Sequence, residues 1–146
     1  MGDGISSEFN LLLRERKLLK ARITRQMIVK EITAAETNLD DNRDSLERNK
    51  FKWATIQAYY SMFHSARALL YHRGYRERSH HAMPVALREL FSRELGSDLI
   101  SQFEAGMDLK READYGLKFS ETEALETIEG AEKLLAKARD VLGMKR

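Results

Sequence analysis

All four histidines of the chain, His64, His72, His80 and His81, fall in one short stretch interleaved with Arg67, Arg73, Arg76 and Arg78. A guanidinium offers a forked cation for phosphate, and an imidazole can give or take a proton near neutral pH. The two together are the minimum for cutting RNA through its 2′-hydroxyl without a metal. Arg76, His80 and His81 are the candidate catalytic set, with Arg73 as a further phosphate ligand.

A second constellation lies just upstream. Gln57, Tyr60, His64, Arg67 and Tyr71 recur at three- and four-residue steps, which on a helix sets their polar atoms along one groove suited to a phosphate or nucleotide. The commoner use of such residues is structural, with their bodies packed between helices and their polar tips hydrogen-bonded. Metal chemistry is not expected. His80 and His81 are adjacent, about 100° apart on a helix, and lack the facing i, i+4 spacing of a ligand pair. The absence of cysteine removes thiolate sites and disulfides, and no cofactor motif is present.

Positioning these groups falls to helices. One proline and eight glycines among many Leu, Ala, Glu, Arg and Lys leave little turn chemistry for a sheet. A leading amphipathic helix is expected from Ser7 to about Leu19. A long one follows from about Ile23 to Leu46, carrying Ile28, Ile32, Ala35, Leu39 and Leu46 on one stripe that Asn42 interrupts. The most apolar segment, Asn49 to His72, reads as the central helix, with Trp53, Ile56, Phe63 and Leu70 as its buried stripe and alanines allowing close approach.

Gly74 ends that helix, and Ser79 is placed to cap the next, with Pro84 in its first turn. Gly96 then separates it from a helix closing at Gly116. Ser120-Glu121-Thr122-Glu123 is a capping box opening a last helix through Leu125, Ile128, Leu135 and Leu142 to Gly143. The fold class is all-α, an antiparallel bundle of five to six helices. Residues 1–22 form a leading segment and 23–146 the bundle, a single domain overall.

A length of 146 residues suits one core, and 25 Lys plus Arg against 23 Asp plus Glu excludes a protein that coats nucleic acid by bulk charge. Phosphate contact must come from a local patch. Met1 to Phe9 lacks the basic-then-apolar order of a signal peptide, and no apolar run approaches the roughly 18 residues of a membrane span, so the cytoplasm is expected and a membrane is not.

The run Lys52-Trp53-Ala54 through Gln57-Ala58-Tyr59-Tyr60-Ser61-Met62-Phe63-His64-Ser65-Ala66-Arg67-Ala68-Leu69-Leu70 resembles the signature helix of stand-alone HEPN proteins, and Gly74-Tyr75-Arg76 with Ser79-His80 continues it. Arg111-Glu112-Ala113-Asp114-Tyr115 is similar to the arginine and Ala-Asp-Tyr block that this subgroup carries before its final helix. The resemblance covers roughly residues 25 to 142. It implies an antiparallel bundle, commonly a homodimer, often encoded beside a minimal nucleotidyltransferase in toxin–antitoxin modules, with many members acting as metal-independent ribonucleases.

In those ribonucleases an arginine precedes a histidine by four to six intervening residues on the helix before the last. Here Arg111 is followed by Asp114 and Tyr115 and by no histidine, while the spacing occurs instead as Arg67/His72, Arg73/His80 and Arg76/His81. Arg111 and Asp114 are expected to pair across one helical turn, with Tyr115 packed near the central helix. The leading functional expectation is a HEPN-type binding module for a nucleotide or RNA, a partner of a nucleotidyltransferase rather than an enzyme. Its binding set is Tyr60, His64, Arg67, Arg73, Arg111, Asp114 and Tyr115. The alternative is a metal-independent ribonuclease toxin using an Arg/His pair.

Overall fold

The computed structural model describes residues 6–116 and 119–144. In chain order the elements are α1 (Ser7–Arg14), β1 (Leu18–Lys20), α2 (Arg25–Glu47), α3 (Phe51–His72), β2 (Tyr75–Glu77), α4 (Ala82–Leu95), α5 (Ser97–Asp114) and α6 (Glu121–Leu142). The architecture is an all-α bundle in which α3 packs against α2, α5 and α6.

Local signals start and stop these helices. Thr24 Oγ1 accepts from the Met27 amide at 3.2 Å to open α2. The capping box at α6 is complete, with Ser120 Oγ accepting from the Glu123 amide at 3.2 Å and Glu123 Oε1 accepting from the Ser120 amide at 3.0 Å. Gly143 closes that helix in the left-handed conformation, φ +68°. Ser79 does not cap α4. That helix begins at Ala82 behind His81, whose side chain makes no capping bond, while the Ser79 and His80 carbonyls accept from the Ala82 and Met83 amides in a tight turn.

The centre of α3 differs from the expected stripe. Trp53 is 53% exposed and Ile56 half-buried, whereas Ala54, Ala58, Met62, Ala66 and Leu69 are fully enclosed together with Phe63 and Leu70. Three helices crowd this one, and close approach selects its smallest side chains for the innermost row. The row starting at Trp53 runs instead through Ile56, Tyr60 and Arg67, all half-buried or exposed, along the edge of the contact.

Asn42 continues the α2 stripe rather than breaking it. It is fully buried, and its amide donates to the Ala54 carbonyl of α3. Ser61 Oγ donates to the Ala35 carbonyl at 2.8 Å, so α2 and α3 are joined by hydrogen bonds as well as by apolar contact.

Residues 15–19 are not helical. The leading helix ends at Arg14, Arg16 takes φ +58°, and Leu18–Lys20 pairs antiparallel with Tyr75–Glu77 in a two-stranded ribbon, Leu18 opposite Glu77 and Lys20 opposite Tyr75. Leu18 is completely buried, Phe9 of α1 meets Tyr75 edge-on at 5.5 Å, and the first segment is thereby tied to the bundle.

Candidate functional site

The entry to α4 and the C-terminal half of α5 meet beside Tyr59 of α3 around a half-open cavity of about 180 Å³. Tyr59, His80, His81, Lys110, Arg111 and Asp114 line it, with Met107. Two groups of residues some thirty positions apart in sequence thus converge. The loop from β2 contributes the histidines and α5 contributes the cations.

His80 is set by stacking. Its ring lies 4.6 Å from that of Phe63, centroid to centroid. Burial lowers its pKa from the ordinary histidine value, against the attraction of Glu77, and the positive charges of Lys110, Arg67 and His81 lower it further. At neutral pH His80 is a neutral imidazole, able to accept a proton.

Lys110 is held by Asp114, Nζ to Oδ2 at 2.7 Å, one helical turn on. That hydrogen bond raises the lysine pKa against the opposing effect of burial, and Tyr60 adds to it. The ammonium also sits 5.6 Å from the centre of the Tyr60 ring. The expected Arg111–Asp114 pair does not form. Arg111 reaches back to Asp108 at 3.7 Å, because Asp114 meets Lys110 at the better i, i+4 spacing. Tyr115 is 81% exposed at the end of α5 rather than packed on α3.

The α3 stripe is occupied by internal partners. His64 Nδ1 lies 2.7 Å from Glu31 Oε1. Arg67 donates twice to Glu77, at 3.2 and 2.7 Å, lies 3.6 Å from Glu31, and covers the Phe63 ring at 4.5 Å. Burial works against the Arg67 charge, but Glu77 and Glu31 outweigh it and its pKa is raised. Arg73 pairs with Glu94 at 3.4 Å and rests over Phe91 at 4.7 Å. These side chains brace the bundle.

Of the sequence-derived candidates, the cavity gathers His80, His81, Arg111 and Asp114. Arg76 is exposed on β2 opposite Leu19 and is not part of the lining, so Lys110 and Arg111 stand where Arg76 was expected. Lys110 and Tyr59 were not anticipated. Lys110 immediately precedes the Arg111 block, and Tyr59 is one position off the polar stripe, which is why spacing alone passed over both.

Among the described residues no three His, Asp or Glu side chains are grouped to hold a metal ion, and no helix is long and apolar enough to cross a membrane. The family model for the HEPN domain matches residues 29–146. The chain belongs to the HEPN family. A UPF0332 protein of Archaeoglobus fulgidus is 29% identical over 119 residues, spanning 79% of this chain and 94% of that relative. The matched HEPN region contains α3, the α4 entry and α5, and so holds every residue of the cavity. It begins inside α2 and leaves α1 and β1 outside.

Proposed function

We propose that this HEPN protein is a binding module that holds a phosphate of RNA or of a nucleotide in the cavity between α3, the α4 entry and α5. One observation carries this reading: Lys110 and Arg111 line the same small concavity as His80 and His81, and only partial carboxylate pairing offsets their charge. Charge-assisted donors converging on one concave point are what phosphate recognition requires. Resemblance of the α3 signature to stand-alone HEPN proteins supports pairing with a nucleotidyltransferase. The half-exposed Trp53 on α3 and Leu125 on α6 support a homodimer.

The test is fluorescence anisotropy of a labelled single-stranded oligoribonucleotide at low salt. Lys110→Ala with Arg111→Ala together will weaken binding at least about tenfold, since a hydrogen bond to a charged group contributes roughly 1.5–3 kcal/mol. Unchanged affinity at unchanged helicity would reject the site.

The ribonuclease reading is favoured by a separate observation, the neutral His80 beside two cations. A neutral imidazole is the form that takes a proton from a 2′-hydroxyl. Cleavage in EDTA that leaves cyclic phosphate ends and disappears in His80→Ala would establish it. No cleavage, with binding intact, leaves the module as a binder.

A further inference from the structure

Tyr59 is enclosed to 2% exposure, yet it lines the cavity. Its ring is fixed from several sides, stacked on Phe103 at 5.9 Å and tilted against Tyr60 at 5.4 Å and Phe63 at 6.2 Å. Gly106 of α5 borders the ring, where an added Cβ would lie in ordinary contact with Tyr59 Cδ1 at 3.5 Å. Among the described residues no side chain or backbone group hydrogen-bonds its hydroxyl. Among the described residues the enclosed side-chain atoms without a partner are Asn42 Oδ1 and Ser65 Oγ; the Tyr59 hydroxyl is not one of them, so the small exposure that Tyr59 keeps includes its hydroxyl. That hydroxyl is open to a partner supplied by a ligand. Burial also drives the Tyr59 pKa far above its ordinary value, so the hydroxyl keeps its proton and can donate as well as accept.

The cavity's size narrows what that ligand offers. At about 180 Å³ it lies below the roughly 300–1,000 Å³ of sites that enclose a whole small molecule. A cavity of this size suits a phosphate and the sugar next to it better than a whole nucleotide. The carboxylate of Asp114 is already engaged by Lys110, and the Tyr59 hydroxyl joins the imidazoles of His80 and His81 as a hydrogen-bonding group of the lining. The ribose 2′-hydroxyl, both donor and acceptor, is the group that distinguishes RNA from DNA.

Resting on the phosphate-binding reading, we propose that Tyr59 recognises ribose: with a phosphate held at Lys110 and Arg111, its hydroxyl hydrogen-bonds the 2′-hydroxyl of the attached sugar. The site therefore selects ribonucleotides over deoxyribonucleotides without reading the base.

The experiment measures anisotropy of fluorescein-labelled ten-residue oligouridylate and its 2′-deoxy counterpart in EDTA, with intactness checked on a gel, for the wild type, Tyr59→Phe and the Lys110→Ala/Arg111→Ala pair. The wild type is expected to prefer the ribo strand by roughly five- to tenfold, the equivalent of one neutral hydrogen bond. Tyr59→Phe will abolish that preference by weakening only the ribo strand, at unchanged thermal stability. Competition by uridine 5′-monophosphate over its deoxy analogue would support the same sugar contact with a free nucleotide as the source. Equal affinity for both sugars, or a preference that survives Tyr59→Phe, overturns the inference while loss of binding in the Lys110/Arg111 pair still upholds the phosphate site. Binding of either strand that ignores the Lys110/Arg111 pair overturns both.

Discussion

Arg67 and Glu77 meet in a two-point contact, Nε to Oε1 at 3.2 Å and Nη2 to Oε2 at 2.7 Å, that fastens α3 to β2. Glu77 is buried, while the Arg67 side chain keeps a quarter of its surface in water and Glu31 nearby. Glu77→Gln will therefore cost about 2–3 kcal/mol, at or just below what breaking a buried pair removes. Arg67→Met will cost more, because it strands the buried Glu77 carboxylate and removes a cation from beside Glu31. Urea unfolding of both and of the double variant will give a coupling of about 1–3 kcal/mol; simple additivity would contradict the pairing.

His80 titrates below the ordinary histidine value. Between its folded pKa and that ordinary value the unfolded chain holds more of the proton, so this group subtracts stability as pH falls through the interval. Its protonation also adds a cation to the cavity, so phosphate binding will strengthen on the acid side of the titration, a gain that His80→Gln reduces. Proton NMR of the ring C–H signals checks the midpoint. Phe63→Leu, which removes the stacked ring, will move that midpoint upward.

Two large aromatic residues on α3 will respond in opposite ways. Trp53, half in water with the Lys52 ammonium 5.5 Å from its ring, will cost about 1 kcal/mol or less on truncation to alanine. Phe63, 4% exposed, will cost about 3–5 kcal/mol and release His80 from its stack. Thermal melts read both.

At Gly106 an added methyl would meet Met62 Cε at 2.6 Å. That atom ends a flexible side chain that can swing aside, and alanine restores roughly 1 kcal/mol of helix propensity, so Gly106→Ala will fall within about 1 kcal/mol of the wild type. Gly106→Leu has no such escape, and will separate α5 from α3 and weaken ligand binding with stability.

The long helices were legible because their signals are local. The Ser120 box and the Gly143 stop lie within one turn of the ends they define, and Ile28, Ile32, Ala35 and Leu39 repeat on one face of α2. The ribbon was not legible, since three-residue strands carry no alternation and Leu18 learns its partner only across 59 residues. The same distance effect separates the site candidates. His64, Arg67 and Arg73 look like ligand groups until Glu31, Glu77 and Glu94 arrive from 33, 10 and 21 positions away to engage them. His80, His81 and Arg111 were read as chemistry-bearing from their residue types, but only the packing of α5 on α3 adds Lys110 and Tyr59 to the same cavity.

The ribbon also orders events in time. Its bonds, Arg78 amide to Lys17 carbonyl at 2.8 Å and Ala21 amide to Gly74 carbonyl at 2.9 Å, join segments that cannot meet until the α2–α3 hairpin between them has closed. The hairpin's own contacts are short-range, so it forms early and the ribbon latches late. Two strands this short hold few bonds, so hydrogen exchange is expected to show the amides of Ala21 and Arg78 exchanging ahead of those in the middle of α3. Glu77 stays fastened to Arg67 of α3 by its own two bonds, so β1 is the strand free to leave first.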